Sequence, residues 1–371
     1  MMSETPFEIF LVVAPGLEGP LCEELREKGF ADPQIEAGGV TIQGGWPDVW
    51  RANLEIRGAS RVLARIGSFR VVHLAQLDKR ARKIAWAQTL LADVPVKVEA
   101  SCKSSKIYHA KAAAQRIETA IREELGAPIS AEADIRIKAR IDNNICTLSV
   151  DTSGELLHRR GHKEAVGKAP MRETLAALFL RQCGFEGGET VVDPMCGSGT
   201  FVIEAAEIAA GLAPGRARAF AFEQLASFHA SSWQRVRDLA PSRLGSARCY
   251  GSDRNSGVIQ MCRANAVRAG IADATEFQVL SVSELVPPAG EPGLVIVNPP
   301  YGARIGDKAK LRGLYRNLGN TLSSRFSGWR VGMVTTDTAL AKATGLPFGP
   351  PGRPVDHGGL MIRLFQTGPL K

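Results

Sequence analysis

The sequence predicts an α/β protein: a mostly parallel, doubly wound sheet from Met171 onward, preceded by an α+β region. Three observations predict it. After Met171, short apolar runs alternate with amphipathic stretches of helical period, the signature of βαβ units. The first 70 residues mix strands with helices in an order compatible with a split βαβ, ferredoxin-like unit, and a second α+β unit follows to residue 156. Between them, LHRRGHKEAVGKAP (157–170) is basic, contains glycine and ends in proline, as a linker does.

The elements follow in order. EIFLVVA (8–14) reads as a buried strand and PLCEELREKGF as an amphipathic helix ending at Gly29. GGVTIQG (38–44) is a strand, WPDVWRANLEI a short helix and RVLARIGSFRV (61–71) an alternating strand, which closes a first subdomain over 1–70. A second subdomain, 71–156, is expected to hold a helix over 74–90 and a strand over 95–102. An Ala-rich helix within 103–125 and a hairpin of 133–142 with 144–154 complete it. After the linker, residues 171–371 form the third unit. It opens with the helix RETLAALFLRQCGF and the strand ETVVDPM. GTFVIEAAEIAAG, VIQMCRANAVRAG and LYRNLGNTLSSRF read as helices. ARCYGSD, TEFQVLS, GLVIVNPP and WRVGMVTT read as strands. The stretch from Gly211 to Ala247 lengthens one crossover. The last strand, LMIRLFQT (360–367), is expected antiparallel at or near the sheet edge.

Composition narrows the function classes. The chain has 371 residues, 44% hydrophobic and 23% charged, which excludes disorder and a disulfide mini-scaffold. No apolar run is long enough for a membrane span. Glu4 and Glu8 stand where an export signal carries Lys or Arg, so a cytoplasmic protein is expected. The seven cysteines include no C-x-x-C pair, so neither a structural metal nor a disulfide framework is expected, and a reducing compartment fits. Charge is unevenly spread. Residues 1–50 hold 2 Lys/Arg against 9 Asp/Glu, whereas 51–170 hold 22 against 13, for a net charge of +8 overall. A basic middle is the footprint of a polyanion partner, although a solvated basic face has the same composition.

Two motifs carry chemistry. In Val191–Phe201 a buried strand ends in Asp193, a turn holds Gly197 and Gly199, and a helix begins at about Thr200. Such a loop lies at the carboxyl end of a sheet strand, where open α/β sheets bind ligands. Glycine lets the backbone approach a ligand, and the helix start offers free N–H groups. Val202 replaces the third glycine of a dinucleotide fingerprint and no G-K-[ST] follows, so NAD and ATP loops are disfavoured. Asp253 closes another strand, where a carboxylate can accept ribose hydroxyls. Taken singly it serves equally as a helix N-cap. The second motif is Asn298-Pro299-Pro300-Tyr301, after LVIV. The Asn298 side-chain oxygen and the Pro299 carbonyl are adjacent acceptors suited to an exocyclic NH₂, and Tyr301 offers a ring for a planar group.

DPMCGSGTF, GSD and NPPYG in this order resemble the class I S-adenosylmethionine-dependent methyltransferases acting on amino nitrogens. CKSSKIYH (102–109) and DTSGELLHRRGH (151–162) before APMRETLAA (169–177) resemble the THUMP-domain RNA methyltransferases. The likeness is nearest to the N-terminal half of the bacterial 23S rRNA guanine-N2 methyltransferases and covers nearly the whole chain. It implies a Rossmann-like, seven-stranded methyltransferase domain behind a ferredoxin-like/THUMP RNA-binding region, without the second methyltransferase domain of the long bifunctional members. It implies S-adenosylmethionine as cofactor, held by Thr174, Asp193, Met195, Gly197, Gly199, Thr200, Asp253 and Asn298. Family members often carry an acid facing the cofactor adenine; Ser281 stands there instead and keeps a hydroxyl. Asn298, Pro299, Pro300 and Tyr301 would orient and stack the target base.

The reaction implied is displacement at the cofactor methyl by guanine N2, with no metal and no covalent nucleophile. The RNA-facing set is Lys103, Lys106, Tyr108, His109, Lys111, Arg159, Arg160 and Lys163, basic residues with an aromatic, as structured RNA loops require. The partner is structured RNA, ribosomal before transfer RNA, and the protein a monomer or weak dimer. The same N-P-P-Y chemistry serves DNA adenine-N6 or cytosine-N4 methylases and protein-glutamine methyltransferases. A silent cofactor-binding RNA assembly factor is the alternative outside enzymes.

Overall fold

A computed structural model describes residues 6–163, 171–239, 247–301 and 308–371. Contacts divide the chain into two units. One draws on residues 1–13, 22–157 and 218–240, the other on 14–21, 158–217 and 241–371.

The first unit is built on one antiparallel-dominated sheet. Its strands are β1 (Phe7–Val12), β2 (Gln34–Glu36), β3 (Gly39–Gly44), β4 (Arg61–Arg70), β5 (Val96–Lys103), β6 (Ile135–Asp142) and β7 (Ile145–Asp151), in the order β2-β3-β1-β4-β7-β6-β5. Its helices include α1 (Glu18–Glu27) in part, α2 (Trp46–Glu55), α3 (Leu74–Ala81) and α4 (Ala110–Leu125). The boundary expected after residue 70 falls inside this sheet, because β4 pairs antiparallel with β7 from Leu63↔Asp151 to Arg70↔Ile145. The hairpin expected over 133–154 turns on Asn143 and Asn144, both at positive φ (50° and 63°), the pair a two-residue type I′ turn demands. The helix expected over 74–90 ends at Ala81. The buried Trp86 donates its indole N–H to the Ala81 carbonyl at 3.0 Å and takes the chain out of the helix.

The DTSG stretch is a buried knot. Thr152 Oγ1 donates to the Val62 carbonyl at 2.7 Å, and Ser153 Oγ accepts from Val62 N at 2.9 Å while donating to Asn53 Oδ1 at 2.7 Å. Asn53 Nδ2 returns to Thr152 Oγ1 at 2.9 Å, and Asp151 pairs with Arg61. The network fastens the end of β7 to β4 and α2, and each of its buried polar groups finds a partner, as burial requires.

The second unit starts with α5 (Glu173–Gln182), β8 (Val191–Asp193) and α6 (Thr200–Ala209). The chain then leaves it. Residues 218–240, with α7 (Ala230–Leu239), cluster with the first unit. There Phe222 and Phe228 lie 6.2 and 6.0 Å from Trp50, and Trp233 meets Phe222 edge-on at 5.1 Å. Residues 218–239 of the stretch expected to lengthen a crossover are therefore a structural part of the front unit, and their aromatics explain why. The chain returns for β9 (Cys249–Asp253), α8 (Ser256–Ala269), β10 (Thr275–Val279), β11 (Leu294–Val297), α9 (Lys308–Arg325), β12 (Arg330–Thr335), α10 (Thr338–Ala343), β13 (Val355–His357) and β14 (Leu360–Gln366).

These strands form a second seven-stranded sheet, β10-β9-β8-β11-β12-β14-β13. β8 to β12 run parallel, and β14 inserts antiparallel between β12 and β13, next to the edge. Strand alternation separates two cores. Val295, Val297, Val331 and Met333 meet Tyr315, Leu318, Leu322 and Phe326 of α9. On the other face α5, α6 and α8 pack, so closely that a Cβ at Gly251 would stand 2.7 Å from Phe277 and 3.1 Å from Val202. The β10–β11 connection carries only a short 3-10 turn, Val282–Glu284, before Pro287 and Pro288. Of the expected linker, residues 158–163 cluster with this unit, and 164–170 lie outside the described residues.

Candidate active site

Strand order reverses at β8. β9 and β10 lie to one side and β11 and β12 to the other, so a crevice opens beyond the carboxyl ends of β8 and β11. Asp193, Asp253 and Asn298 stand at or just after the ends of β8, β9 and β11, so the topology gathers three residues that the sequence spreads over about a hundred positions.

The β8–α6 turn is tied down on several sides. Cys196 N donates to the Ser252 carbonyl at 2.9 Å, Cys262 Sγ donates to the Gly197 carbonyl at 3.0 Å, and Gly199 N donates to the Cys196 carbonyl at 2.8 Å. Gly197 and Gly199 both have positive φ, 52° and 82°, which only glycine adopts without strain. Gly199 is also crowded: a Cβ there would meet Cys262, Ile203 and Phe277 at 3.2 to 3.4 Å. As N-cap of α6 it has no side chain to offer the first-turn N–H groups. Asp193 is buried, and its carboxylate accepts from Met195 N at 3.1 Å. Burial, reinforced by the charge of Asp253, pushes its carboxyl up to about 8. Met195 packs partly against the α9 core.

Asp253 is half-buried and accepts from Asn255 N at 3.0 Å and from Gly197 N at 3.3 Å, which links the β9 end to the glycine turn. The N-cap of α8 is Asn255, whose side chain accepts from Gly257 N and Val258 N, so the capping alternative for Asp253 is excluded. Ser281 caps the 3-10 turn instead. Its hydroxyl bonds Glu284 at 2.7 Å and Ser283 at 2.9 Å, and its backbone N–H also reaches Glu284, at 3.1 Å.

Asn298 is half-buried, and its side-chain oxygen is buried without a hydrogen-bond partner among the described residues. Buried acceptors in folded proteins are nearly always paired, so this oxygen stands out in the crevice. Tyr301 is half-buried, and burial raises its hydroxyl. Two residues unseen from the sequence support the loop. The Tyr315 hydroxyl, fully buried in α9, donates to the Pro300 carbonyl at 3.3 Å and lies 3.1 Å from Thr335 Oγ1. Their only sequence signal is the helical spacing of Tyr315 in an apolar stripe.

The basic residues separate into two groups. Lys103, Lys106, Tyr108, His109 and Lys111 are exposed on the β5–α4 connection of the first unit, with the Tyr108 and His109 rings 4.2 Å apart. Lys106 N donates to Asn144 Oδ1 of the β6–β7 turn at 2.8 Å, and Asn144 N donates back to Ser105 Oγ at 2.9 Å. Arg159, in the second unit, is also exposed. Arg160 and Lys163 are not surface groups, which corrects their expected RNA-facing place. Arg160 is 2% exposed and pairs with Glu204 at 3.1 Å, while Lys163 reaches Glu173 at 2.8 Å and Thr200 Oγ1 at 2.7 Å. Both find partners on a polar stripe of α6, Thr200, Glu204 and Glu207, spaced one turn apart; Glu207 meets His162 and Arg216. Burial pushes His158 down to about 4 and lowers His162.

Among the described residues, no group of three or more His, Cys, Asp or Glu is arranged to hold a metal ion, and no helix is long and apolar enough to cross a membrane. Comparison with known families matches residues 160–347 to the "RMKL-like, methyltransferase domain" and residues 8–63 to the "RlmL ferredoxin-like domain". The chain belongs to the RMKL-like methyltransferases. It is 35% identical over 92% of its length to the "Ribosomal RNA large subunit methyltransferase K/L" of Psychromonas ingrahamii, and spans 47% of that protein. It is 33% identical over 98% of its length to the "Putative RNA methyltransferase slr0064" of Synechocystis, of which it covers 97%. Among solved structures, "SMU.472, a putative methyltransferase complexed with SAH" superposes with a TM-score of 0.89 at 26% identity, over 99% of both chains.

The cofactor of this methyltransferase family is S-adenosylmethionine. The residues present fit it. The glycine turn has no side chains to block a close backbone approach, and α6 opens without a cap. The Asp253 carboxylate is half-exposed at a strand end, where it can meet a diol.

Proposed function

We propose that this chain transfers a methyl group from S-adenosylmethionine to the exocyclic N2 of a guanosine in 23S ribosomal RNA. The observation that carries the reading is the unpartnered, buried Asn298 side-chain oxygen at the switch point of the sheet, next to Pro299, Pro300 and Tyr301. The ribosomal RNA relative, alike over most of this chain, supports the substrate class.

Bound S-adenosylmethionine supplies a methyl group on a cationic sulfonium, a good leaving group, so alignment is the protein's main task. Asp253 would accept the ribose hydroxyls, and Asp193, Met195, Gly197, Gly199, Thr200 and Thr174 would wall the amino-acid end. Asn298 and the Pro299 carbonyl would accept the two amine hydrogens, which favours the pyramidal, nucleophilic nitrogen and stabilises its growing positive charge. Tyr301 would stack on a base taken out of its RNA stack. The Tyr315 hydroxyl, holding the Pro300 carbonyl, would fix the loop that presents these groups. The exposed Lys103, Lys106, Tyr108, His109 and Lys111 would supply a THUMP-like platform for structured RNA, in the reducing cytoplasm.

The test is single-turnover methyl transfer to ribosomal RNA from cells lacking this protein, followed by nucleoside mass spectrometry. N2-methylguanosine with the wild type and roughly 10²–10³-fold slower transfer with Asn298→Ala is the expected result. A methylated adenine or cytosine, or transfer to DNA or transfer RNA alone, overturns the substrate assignment. Full activity in Asn298→Ala overturns the role of the acceptor pair, and tight cofactor binding with no transfer to any nucleic acid favours the assembly-factor alternative.

A further inference from the structure

We propose that Lys163 is a cofactor-binding residue that receives the carboxylate of the amino-acid end of S-adenosylmethionine. The inference rests on the cofactor and is independent of which RNA base is methylated. Lys163 lies between the first turns of two helices. Its ammonium is 2.8 Å from Glu173 Oε1, the first residue of α5, and 2.7 Å from Thr200 Oγ1, the first residue of α6. Thr200 Oγ1 in turn donates to the Met171 carbonyl at 3.4 Å. The Lys163 side chain is 8% exposed and that of Glu173 9%.

Three physical points separate this lysine from an ordinary strut. The first is cost. A buried ion pair rarely stabilises a fold more than apolar residues of the same volume, so its presence calls for a second use. The deeper partners on α6 already fasten the 160–163 segment: Arg160 holds Glu204, and His162 and Arg216 meet Glu207. Lys163 stands at the helix start that borders the glycine turn.

The second is valence. An ammonium has three N–H donors, and among the described residues Glu173 and Thr200 take two, which leaves one for a further acceptor. The third is the local field. The N-caps of α5 and α6 are Arg172 and Gly199, and neither offers a side-chain oxygen to its helix. Lys163 and Glu173 balance each other in charge, so the two uncapped helix starts supply the positive potential that a carboxylate satisfies, with the lysine as a further donor.

Calorimetry on the full chain with two ligands tests this. One is S-adenosylhomocysteine; the other is the same molecule lacking only its carboxylate, 5′-(3-aminopropylthio)-5′-deoxyadenosine. The wild type is expected to bind the first more tightly by roughly 10- to 100-fold, the range of a charge-assisted hydrogen bond. Lys163→Met should remove that preference and leave binding of the decarboxylated ligand unchanged. Lys163→Gln keeps a donor to Thr200 without the charge, and should show the same selective loss, which guards against a fold defect in the methionine variant. Equal weakening of both ligands makes Lys163 a structural strut and overturns the proposal. So does wild-type discrimination in both variants, or a wild type that does not distinguish the ligands.

Discussion

Gly197 and Gly199 stand two residues apart in one turn, and the structure predicts that alanine at the two positions fails in different ways. Both have positive φ, so each alanine carries the left-handed penalty of about 1–2 kcal/mol. At Gly197 the new Cβ meets no atom of the described residues within 4 Å. At Gly199 it meets Cys262 Sγ at 3.2 Å, Ile203 Cδ1 at 3.3 Å and Phe277 Cε1 at 3.4 Å, from three elements that also pack on one another. Overpacking of that kind costs about 1–3 kcal/mol. Gly199→Ala should therefore be the less stable variant by that increment, which for a unit of this size lowers the melting temperature by roughly 2–10 °C relative to Gly197→Ala. Cofactor affinity should behave differently. The Cβ at Gly197 points into space that no described residue fills, so under the proposed cofactor site Gly197→Ala should lose ten-fold or more in S-adenosylhomocysteine affinity while staying nearly as stable as its backbone strain allows. Thermal unfolding of the full chains and calorimetric titration read the two effects separately. Equal melting temperatures would refute the packing argument, and wild-type affinity in Gly197→Ala would refute the turn as the cofactor wall.

Three further predictions follow from buried charges and the exposed basic loop. Asp193 ionises near pH 8 in the folded chain but near 4 when unfolded, so the folded state holds the extra proton between those values. Stability should fall as pH rises from about 4 to about 8 and then level off, and Asp193→Asn should flatten that slope in pH-dependent unfolding. Arg160→Met removes the guanidinium 3.1 Å from the buried Glu204 carboxylate and should destabilise by about 3–5 kcal/mol, while adding Glu204→Leu should recover much of the loss. A single variant that melts like the wild type would contradict this. Charge reversal at Lys103, Lys106 and Lys111 should weaken RNA binding and flatten its salt dependence without changing cofactor affinity; an unaltered salt slope would remove the loop from the RNA surface.

The second unit was legible because its signals are local. Strand, acid, glycine turn and helix follow one another within about ten residues, and the parallel sheet follows from their repetition. The N-P-P-Y loop was legible for the same reason. The failures share a different cause. Tyr315 and Thr335 hold the Pro300 carbonyl from a helix and a strand further along the chain, and their residue types are ordinary for a core. The aromatic run Phe220, Phe222, Phe228 and Trp233 packs on Trp50 of the front unit, a partner more than 150 positions away, so it reads as an inserted loop. The local cap that the Ser281 hydroxyl makes with Glu284 is one that S-x-x-E spacing does announce.

Arg160 and Lys163 make the same point about charge. In sequence they belong to a run, LHRRGHK, that looks like a solvated basic linker, and summing charge over the run leads to an RNA surface. What changes the reading is a feature of another element. The helix FVIEAAEIAA carries Glu204 and Glu207 inside an otherwise apolar stretch, where an unpaired carboxylate would be too costly to bury. Two acids at positions 4 and 7 beyond Thr200 lie on one face of α6, so they require cations delivered from outside the helix. The nearest basic run upstream supplies Arg160 to Glu204 and sets the His162 ring beside Glu207, Arg216 from beyond the helix pairs with Glu207, and Lys163 reaches Thr200 on the same stripe. Buried acids in an apolar helix and a basic segment before it are thus two halves of one attachment. Arg159, one residue before Arg160, remains exposed, so charge must be assigned residue by residue before it is assigned to a partner.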